Sequence, residues 1–479
     1  MLLEKNQEII PDEDNHINRI SLNTLGDEDF QRDYNVKYNY VCGSMYKGIS
    51  SENMVVALAK QRILSFFGSG GLDADEVEKA IINIKSRIRE NHPFGVNLLS
   101  VPGQSDAEMK LVDLCIKHQV RVIEASAFMQ ISLPLVRYHV SGLVKGRDGK
   151  IKLNHRIISK VSRPEVAELF MKPPPEKMLS KLVEQKFITR EQAMLATSLP
   201  ISQDICVESD SAGHTDQGNP FVLLPSILSI RDNIARNYNY LRKIRIGAAG
   251  GIGTPEAAFA AFMLGADFIL TGSVNQCTVE SGMSSQAKDI LQHIQPQDTG
   301  YAPAGDMFGT GAQVQVVKRG LFFHARANKL QDIYFHNNSL DELDDRIKQE
   351  IEHKYFGRKF DEVWEETRSY YQSRDPATLL ELEKSPKKKM AALFKWYFIH
   401  STRLALAGSN HQKMDYQLHC GPALGAFNMI VKGQRLESWK NRHVSEVADF
   451  IMSGVVELLA DKLSYYRYCN ADFQSKKTR

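Results

Sequence analysis

Cysteine is scarce and scattered in this chain. Six residues, Cys42, Cys115, Cys206, Cys277, Cys420 and Cys469, occur among 479, with no CxxC pair and no His/Cys cluster at zinc spacing. That argues against a Cys-based zinc site and for a reducing, cytoplasmic compartment. An excess of charge of one sign is lacking too. A formal net charge of +3 is too small to mark a nucleic-acid binder. No uninterrupted apolar run reaches about 18 residues, so no membrane span is expected. The first stretch carries Glu4, Glu8, Asp12, Glu13 and Asp14 where a signal peptide would be basic and then apolar. Residues 1–24 therefore read as a linker or flank. The remaining composition, 43% hydrophobic and 24% charged, is ordinary for a globular chain. A core of this size needs no disulfide staples.

From about residue 38, short apolar runs alternate with amphipathic stretches. The runs are Tyr40–Gly43, Ile63–Phe67, Phe94–Leu98, Arg121–Ala125, Ile157–Val161, Asp204–Glu208, Ile244–Ala248 and Asp267–Thr271. Stretches such as Asp73 to Glu90 and Ser105 to His118 separate them. Repeated strand–helix units mean a parallel sheet. Eight units in about 235 residues fit a closed (β/α)8 TIM barrel, an α/β fold, with an open doubly wound sheet as the alternative. Lys145-Gly-Arg-Asp-Gly149 reads as a hairpin turn, and the interval 163–200, with Pro173-Pro174-Pro175, as extra helix. Beyond about 300 the rhythm stops. Ser339-Leu-Asp-Glu342 looks like a capping box, Met390 to Ala407 like a helix, and Val444, Val447, Ala448, Ile451, Val455 and Leu458 like one packed helical face. The division expected is a barrel at 25–300 and a helical lid or substrate subdomain at 301–479 that returns to the barrel.

Two consecutive strand ends are rich in glycine. The first, Gly247-Ala-Ala-Gly-Gly-Ile-Gly253, runs into Thr254 and Pro255, a good N-cap and first helical residue, and Gly265 is a good stop. The second is Thr271-Gly-Ser273. Glycines let backbone N–H groups approach an anion, and a helix N-terminus adds favourable partial charge. Barrels often bind phosphate with the loops after strands seven and eight. Gly250, Gly251, Gly253, Gly272 and Ser273 are the candidate grip. The third glycine of a dinucleotide fingerprint is missing, because Gly251-Ile-Gly253 is followed by Thr-Pro-Glu.

Strand six ends in Val207-Glu-Ser-Asp-Ser-Ala-Gly-His214-Thr-Asp216, on the face where barrel active sites lie. Ser211, Ala212 and Gly213 are small enough for a flat ring to come close, and His214 is a candidate general acid. Lys160, in an apolar run, either stabilises a reduced ring or pairs with Glu124 or Glu208. Asn97 suits a ring edge or a loop cap, Met45 a ring face or the core, and Gly70 lies in a loop that implies close backbone approach.

Ser209-Asp-Ser-Ala-Gly-His-Thr-Asp216, Gly247-Ala-Ala-Gly-Gly-Ile-Gly-Thr-Pro255, Thr271-Gly-Ser-Val-Asn-Gln276, Ile158-Ser-Lys-Val-Ser-Arg-Pro-Glu-Val-Ala167 and His419-Cys-Gly-Pro-Ala-Leu-Gly-Ala-Phe-Asn428 together resemble the PfaD family. These are trans-acting enoyl reductases of polyketide and polyunsaturated fatty acid synthases, within the wider nitronate monooxygenase-like flavoproteins. The resemblance spans about Leu25 to Ser464. It implies FMN as prosthetic group and NADPH as hydride donor. The implied substrate is an enoyl thioester on the phosphopantetheine arm of an acyl carrier protein within a megasynthase, with neither nucleic acid nor membrane as partner. Whether the chain is a monomer or a homodimer stays open. His214 matches the family histidine near the flavin, and the segment after Cys420 its late return to the barrel mouth. One departure is Ala212, where relatives often have glycine. Lys384–Lys389, Lys318-Arg319 and Arg326 are candidate docking positions for an acidic carrier. Competing readings are a nitronate monooxygenase-like oxidase, an inosinate-type dehydrogenase using Cys277, and a scaffold with a dead barrel.

Overall fold

In the computed structural model, residues 22–100, 103 and 105–477 are described. The flank expected at 1–24 falls outside them, apart from a 3-10 turn at Leu22–Thr24. All eight apolar runs are strands: β1 Tyr40–Cys42, β2 Leu64–Phe67, β3 Gly95–Leu99, β4 Val122–Ser126, β5 Arg156–Val161, β6 Asp204–Glu208, β7 Arg245–Ala249 and β8 Phe268–Thr271. They are parallel and close in chain order, Val41 of β1 pairing with Leu270 of β8. Closure excludes the open sheet.

The barrel interior needs a floor, and the segment before β1 supplies it. Helix Glu28–Tyr34 puts Phe30 and Tyr34 among Leu64, Phe66, Val122, Ile158 and Phe268. Phe30 stacks on Phe268 at 4.5 Å between ring centroids. Gly247 and Gly95 line the same interior, where a Cβ would fall 2.3 Å and 2.4 Å from the Phe268 and Phe66 rings. Gly247 is therefore a packing glycine rather than part of an anion grip. Below the rings, Arg245 bonds Asp204 through Nε at 2.5 Å and Asp33 at 3.0 Å. Arg156 meets Asp33 at 2.8 Å, and the Tyr34 hydroxyl donates to Asp204 at 2.6 Å. Two arginines and two aspartates are thus paired beneath the rings, with Arg156 Nη1 left without a partner.

The hairpin around Lys145–Gly149 pairs Leu143–Lys145 with Ile151–Leu153. Helices Glu176–Glu184 and Arg190–Ala196 fill the interval before β6. Beyond 300 the sequence suggests helices alone, yet the chain first forms an antiparallel hairpin, β9 Thr299–Pro303 and β10 Gln313–Val317. Its signal is only the brief alternation Gln313-Val-Gln-Val316. Helices Phe323–His336, Phe360–Arg374 and Pro386–Ala407 then build a second core around Phe308, Phe323, Phe394, Tyr397 and Phe398. Ser339 caps nothing: residues 340–342 make one 3-10 turn, and the next helix starts at Asp345. Helix Val444–Lys477 returns to the barrel's own core through Val447, Ala448, Ile451 and Val455. Among the described residues no helix is long and apolar enough to cross a membrane.

Replacing Arg245 with Met leaves Asp204 buried without its cation, while Asp33 keeps Arg156. The expected loss is about 3–5 kcal/mol of unfolding free energy, read as a lower denaturant midpoint.

Candidate active site

β6 delivers the histidine loop, residues 209–216, to the C-terminal mouth of the barrel. Loop shape is set locally: Thr215 Oγ1 donates to Asp210 at 2.8 Å, and the Gln217 N–H donates back to Thr215 Oγ1 at 3.0 Å. His214 comes within 2.9 Å of Asp306 Oδ1, on the turn between β9 and β10. That hydrogen bond raises the His214 pKa against the opposing effect of burial. Ser211 Oγ, in the same loop, is buried without a hydrogen-bond partner.

The floor of the mouth is charged. Lys160 Nζ lies 3.0 Å from Glu208, and Glu124 lies beside it. Burial lowers the affinity of Lys160 for its proton, but Glu208 and Glu124 outweigh it and hold the ammonium pKa above its ordinary value. Burial likewise pushes the Glu124 carboxyl up, against Lys160 and Ser44. Asn97 Nδ2 donates to the Glu124 carbonyl, to Glu124 Oε2 and to Ser126 Oγ at 2.9–3.2 Å. The ion pair expected for Lys160 is present, with Glu208 as the partner. Asn97 has no donor left for a ring edge and keeps only Oδ1, on the Gly70 side at 3.8 Å from that residue's Cβ position. Met45 packs into the apolar clusters, and its backbone is tied to Ser50.

The two glycine-rich ends face the same mouth. Thr254 caps helix Pro255–Met263 by accepting from the Ala257 N–H at 3.2 Å. Gly250 (φ +88°) lies against the backbone of Ser209 and Asp210, and Gly251 (φ +73°) faces open space. Both φ values belong to a region that side chains rarely adopt. Gly213 and Gly272 also face open space. Among the described residues, the N–H groups of Gly251, Ile252, Gly253, Gly272 and Ser273 find no acceptor in the chain. Gly253 has a different task, since a Cβ there would stand 2.3 Å from the Ala423 carbonyl oxygen.

That contact belongs to a segment returning from the helical region. The Cys420 N–H donates to the Gln315 carbonyl at 3.1 Å and the Val317 N–H to Leu418 at 2.9 Å, so residues 418–420 extend the β9–β10 hairpin. The Gly421 N–H donates to Ser273 Oγ at 2.9 Å, and Gln276 Nε2 to the His419 carbonyl at 2.9 Å. The His419 ring accepts from Gln417 Nε2 at 2.8 Å, bonds the Ala212 backbone, and packs edge-on to Tyr46 at 5.3 Å. Burial lowers its pKa to about 4, so the ring is neutral at pH 7.

These residues fit an aromatic cofactor with a phosphate tail. Unpaired amides and a helix N-terminus offer an anion cradle that glycines keep open. The orphaned Ser211 hydroxyl, Gly213 and His214 stand at the other end of the same mouth. Sequence reasoning missed Asp306 and the work of His419, neither of which has a local signal. Of the docking positions, Arg326 is half-buried in an ion pair with Asp415. Lys387 is tied to the Tyr334 and Asn337 carbonyls, Lys388 to Glu381 and Lys389 to the Trp364 ring. Cys277 is buried, which raises its thiol pKa to about 12, so it is no ready nucleophile.

A (β/α)8 barrel with unpaired amides after β7 and β8 and a histidine after β6 has the layout of the phosphate-binding barrels. The nitronate monooxygenase model matches residues 32–300, and the inserted helical domain of [acyl-carrier-protein] S-malonyltransferase matches residues 337–416. The enoyl reductase domain of MlnA, from the macrolactin cluster of Bacillus amyloliquefaciens, superposes with a TM-score of 0.89 at 44% identity, covering 93% of this chain and all of that one. Polyketide biosynthesis protein PksE of Bacillus subtilis is 48% identical over 93% of this chain and 58% of its own length. A component of a Thraustochytrium polyunsaturated fatty acid synthase is 40% identical over 91% of this chain and 29% of its own length. The chain thus spans less than two thirds of the curated relatives it matches. FabK from Thermotoga maritima shares the fold, with a TM-score of 0.55 at 18% identity over 91% of this chain and 98% of that one. The chain belongs to the nitronate monooxygenase family, in its PfaD-like branch.

Since burial depresses the His419 pKa, the native state resists a proton that the unfolded chain accepts below about pH 6.5. The stabilising difference is present above pH 6.5 and is lost as pH falls toward 4. Between pH 7 and pH 5 the parent protein is expected to lose about 2 kcal/mol more than the His419→Gln variant, measured by urea denaturation at both pH values.

Proposed function

We propose that the chain is an FMN-dependent enoyl reductase. It uses NADPH to saturate the α,β double bond of an enoyl thioester carried on an acyl carrier protein of a polyketide or polyunsaturated fatty acid synthase. The observation that carries this reading is one mouth with an open anion cradle at one end and a hydrogen-bonded histidine at the other. FMN, when bound, supplies a hydride relay between the nicotinamide and the acyl group.

The chain's own residues do the rest. The amides of Gly251–Gly253, Gly272 and Ser273, with the Pro255–Met263 helix N-terminus, hold the phosphate. Gly213 and Ser211 leave room for, and a hydroxyl toward, a flat ring. Lys160 and its two carboxylates keep a charged floor in place without flexible side chains at the reacting centre. Hydride addition at the substrate β-carbon leaves negative charge on the thioester oxygen and the α-carbon. His214 polarises that oxygen or delivers the proton to the α-carbon. The carrier presents its substrate through a long arm, which suits a mouth walled by the β9–β10 hairpin and the helical region. Of the basic positions, Lys318, Arg319 and Lys384 stay exposed for an acidic carrier.

Anaerobic mixing of the purified yellow protein with NADPH, then with an enoyl-carrier thioester, is expected to bleach and restore the flavin colour, with a saturated thioester inert. Reoxidation by oxygen alone, with the enoyl thioester inert, sinks the reading in favour of an oxidase. His214→Ala is expected to slow the enoyl-dependent step about 10²- to 10⁴-fold and leave bleaching by NADPH nearly unchanged. Gly272 has space for a side chain. Gly272→Asp sets a carboxylate against the phosphate, so flavin retention should fall about 100-fold or more, while the flavin-free variant melts at the temperature of the flavin-free parent.

A further inference from the structure

His214 and Asp306 lie 92 residues apart in sequence, on different parts of the fold, yet their side chains meet at 2.9 Å. The meeting is built rather than casual. Asp306 sits on the turn between β9 and β10, and its carbonyl accepts from Lys395 Nζ at 3.3 Å. The hairpin is bound to the histidine loop at three more points. The Thr215 N–H donates to the Gln313 carbonyl at 3.1 Å, Gln217 Nε2 to Gln313 Oε1 at 2.7 Å, and the Tyr301 hydroxyl to Asp210.

A carboxylate only accepts hydrogen bonds, so the imidazole nitrogen facing it must carry a hydrogen. Nε2 of His214 faces Asp306. Nε2 therefore stays protonated in both charge states, and Nδ1 is the nitrogen that gains and loses a proton. We propose that Asp306 is the positioning residue for His214: it fixes the Nε2–H tautomer and leaves Nδ1–H as the group that serves the substrate, so that docking of the β9–β10 hairpin completes the acid. The inference rests on His214 being the acid of the proposed reductase. In the step itself, hydride arrives at the β-carbon and the Nδ1 proton moves to the α-carbon. The imidazole is left neutral with Nε2–H still on Asp306, and solvent returns the proton.

The other groups facing His214 do not replace Asp306. Glu208, from β6, is held by Lys160 at 3.0 Å. His419, from the returning segment, is buried and neutral. Lys395, from helix Pro386–Ala407, reaches the Asp306 carbonyl rather than the imidazole. The Asp306 carboxylate alone pairs with His214 among the described residues, and it favours the imidazolium.

The test uses Asp306→Asn and Asp306→Glu in the full chain, with two readouts. The first is the NMR titration of the His214 ring in flavin-loaded protein without substrate, the signal assigned by its loss in His214→Asn. The second is the pH profile of the enoyl-dependent flavin reoxidation rate. Asp306→Asn is expected to lower the His214 midpoint by about one pH unit and to move the alkaline limb of the rate profile down by the same amount. At a pH above both midpoints the rate then falls about tenfold, while reduction by NADPH is unchanged; Asp306→Glu restores most of both. An unmoved midpoint, a rate loss independent of pH, or a midpoint shift with no matching shift in rate overturns the inference. If His214→Ala reoxidises at the parental rate, the acid role of His214 fails and this inference fails with it. If His214→Ala is slow and Asp306→Asn is parental in both readouts, only the inference fails.

Discussion

The candidate site hangs on a short seam of backbone hydrogen bonds between β10 and the returning segment. The Val317 N–H bonds Leu418, and the Cys420 N–H bonds Gln315. Each such bond contributes only about 1 kcal/mol net, yet these two decide where four other pieces lie. On one side, β10 and its turn carry Gln313 and Asp306 to the histidine loop. On the other, residues 419–423 meet Gln276, Ser273 and Gly253. The barrel strands β6, β7 and β8 set the spacing of the glycine-rich ends and the histidine loop, and the seam adds a second tie to each.

Charge inside the mouth follows a different logic. Two carboxylates, Glu124 and Glu208, share one ammonium, Lys160. An unbalanced buried carboxylate is costly, so Glu124 also accepts from the Ser44 N–H and hydroxyl and from Asn97. Each first-choice ligand for a cofactor on this floor is already engaged by the protein. What is left unengaged lies higher up: the amides of the cradle, the Ser211 hydroxyl and Nδ1 of His214. The groups with unused hydrogen-bonding capacity are thus held in place by neighbours that are themselves fully engaged, which is the arrangement the proposed function draws on.

Most local signals in the sequence are borne out, the Ser339 cap being the exception, and long-range ones are absent. Eight strands, the Thr254 cap, Pro255 and the Gly265 stop are all encoded within a few residues, and each is found as read. Glycine was harder to interpret, because its composition signal says that something approaches closely without saying what. At Gly251 and Gly272 the space is open; at Gly247 a Phe268 ring fills it, and at Gly253 the Ala423 backbone does. Met45 and Asn97 were ambiguous for a similar reason, since their residue types suit both a ligand and the protein interior. Asp306 carried no signal at all. Its loop becomes meaningful only when the hairpin folds beside a histidine far away in sequence.

The same geometry explains how an inserted helical region can belong to the site without disturbing the barrel. Residues 318–417 leave from Val317 and come back to Leu418, and those two residues are bonded to each other. The cost of closing a long loop grows only as the logarithm of its length, about 0.6 kcal/mol per doubling. Once the seam exists, the size of what lies between its ends matters little to the barrel. The region resembling a malonyltransferase insertion sits inside that span and shares its aromatic core with the β9–β10 hairpin through Phe308, Val314 and Val316. The whole span is tied back by side chains as well: Lys395 and Asn328 donate to the Asp306 and Tyr301 carbonyls, and Thr402 accepts from the Tyr46 hydroxyl and donates to Gln417, which holds His419. The helical region thereby adds a wall beside the barrel mouth, while the histidine loop and the glycine-rich ends stay tied to barrel strands.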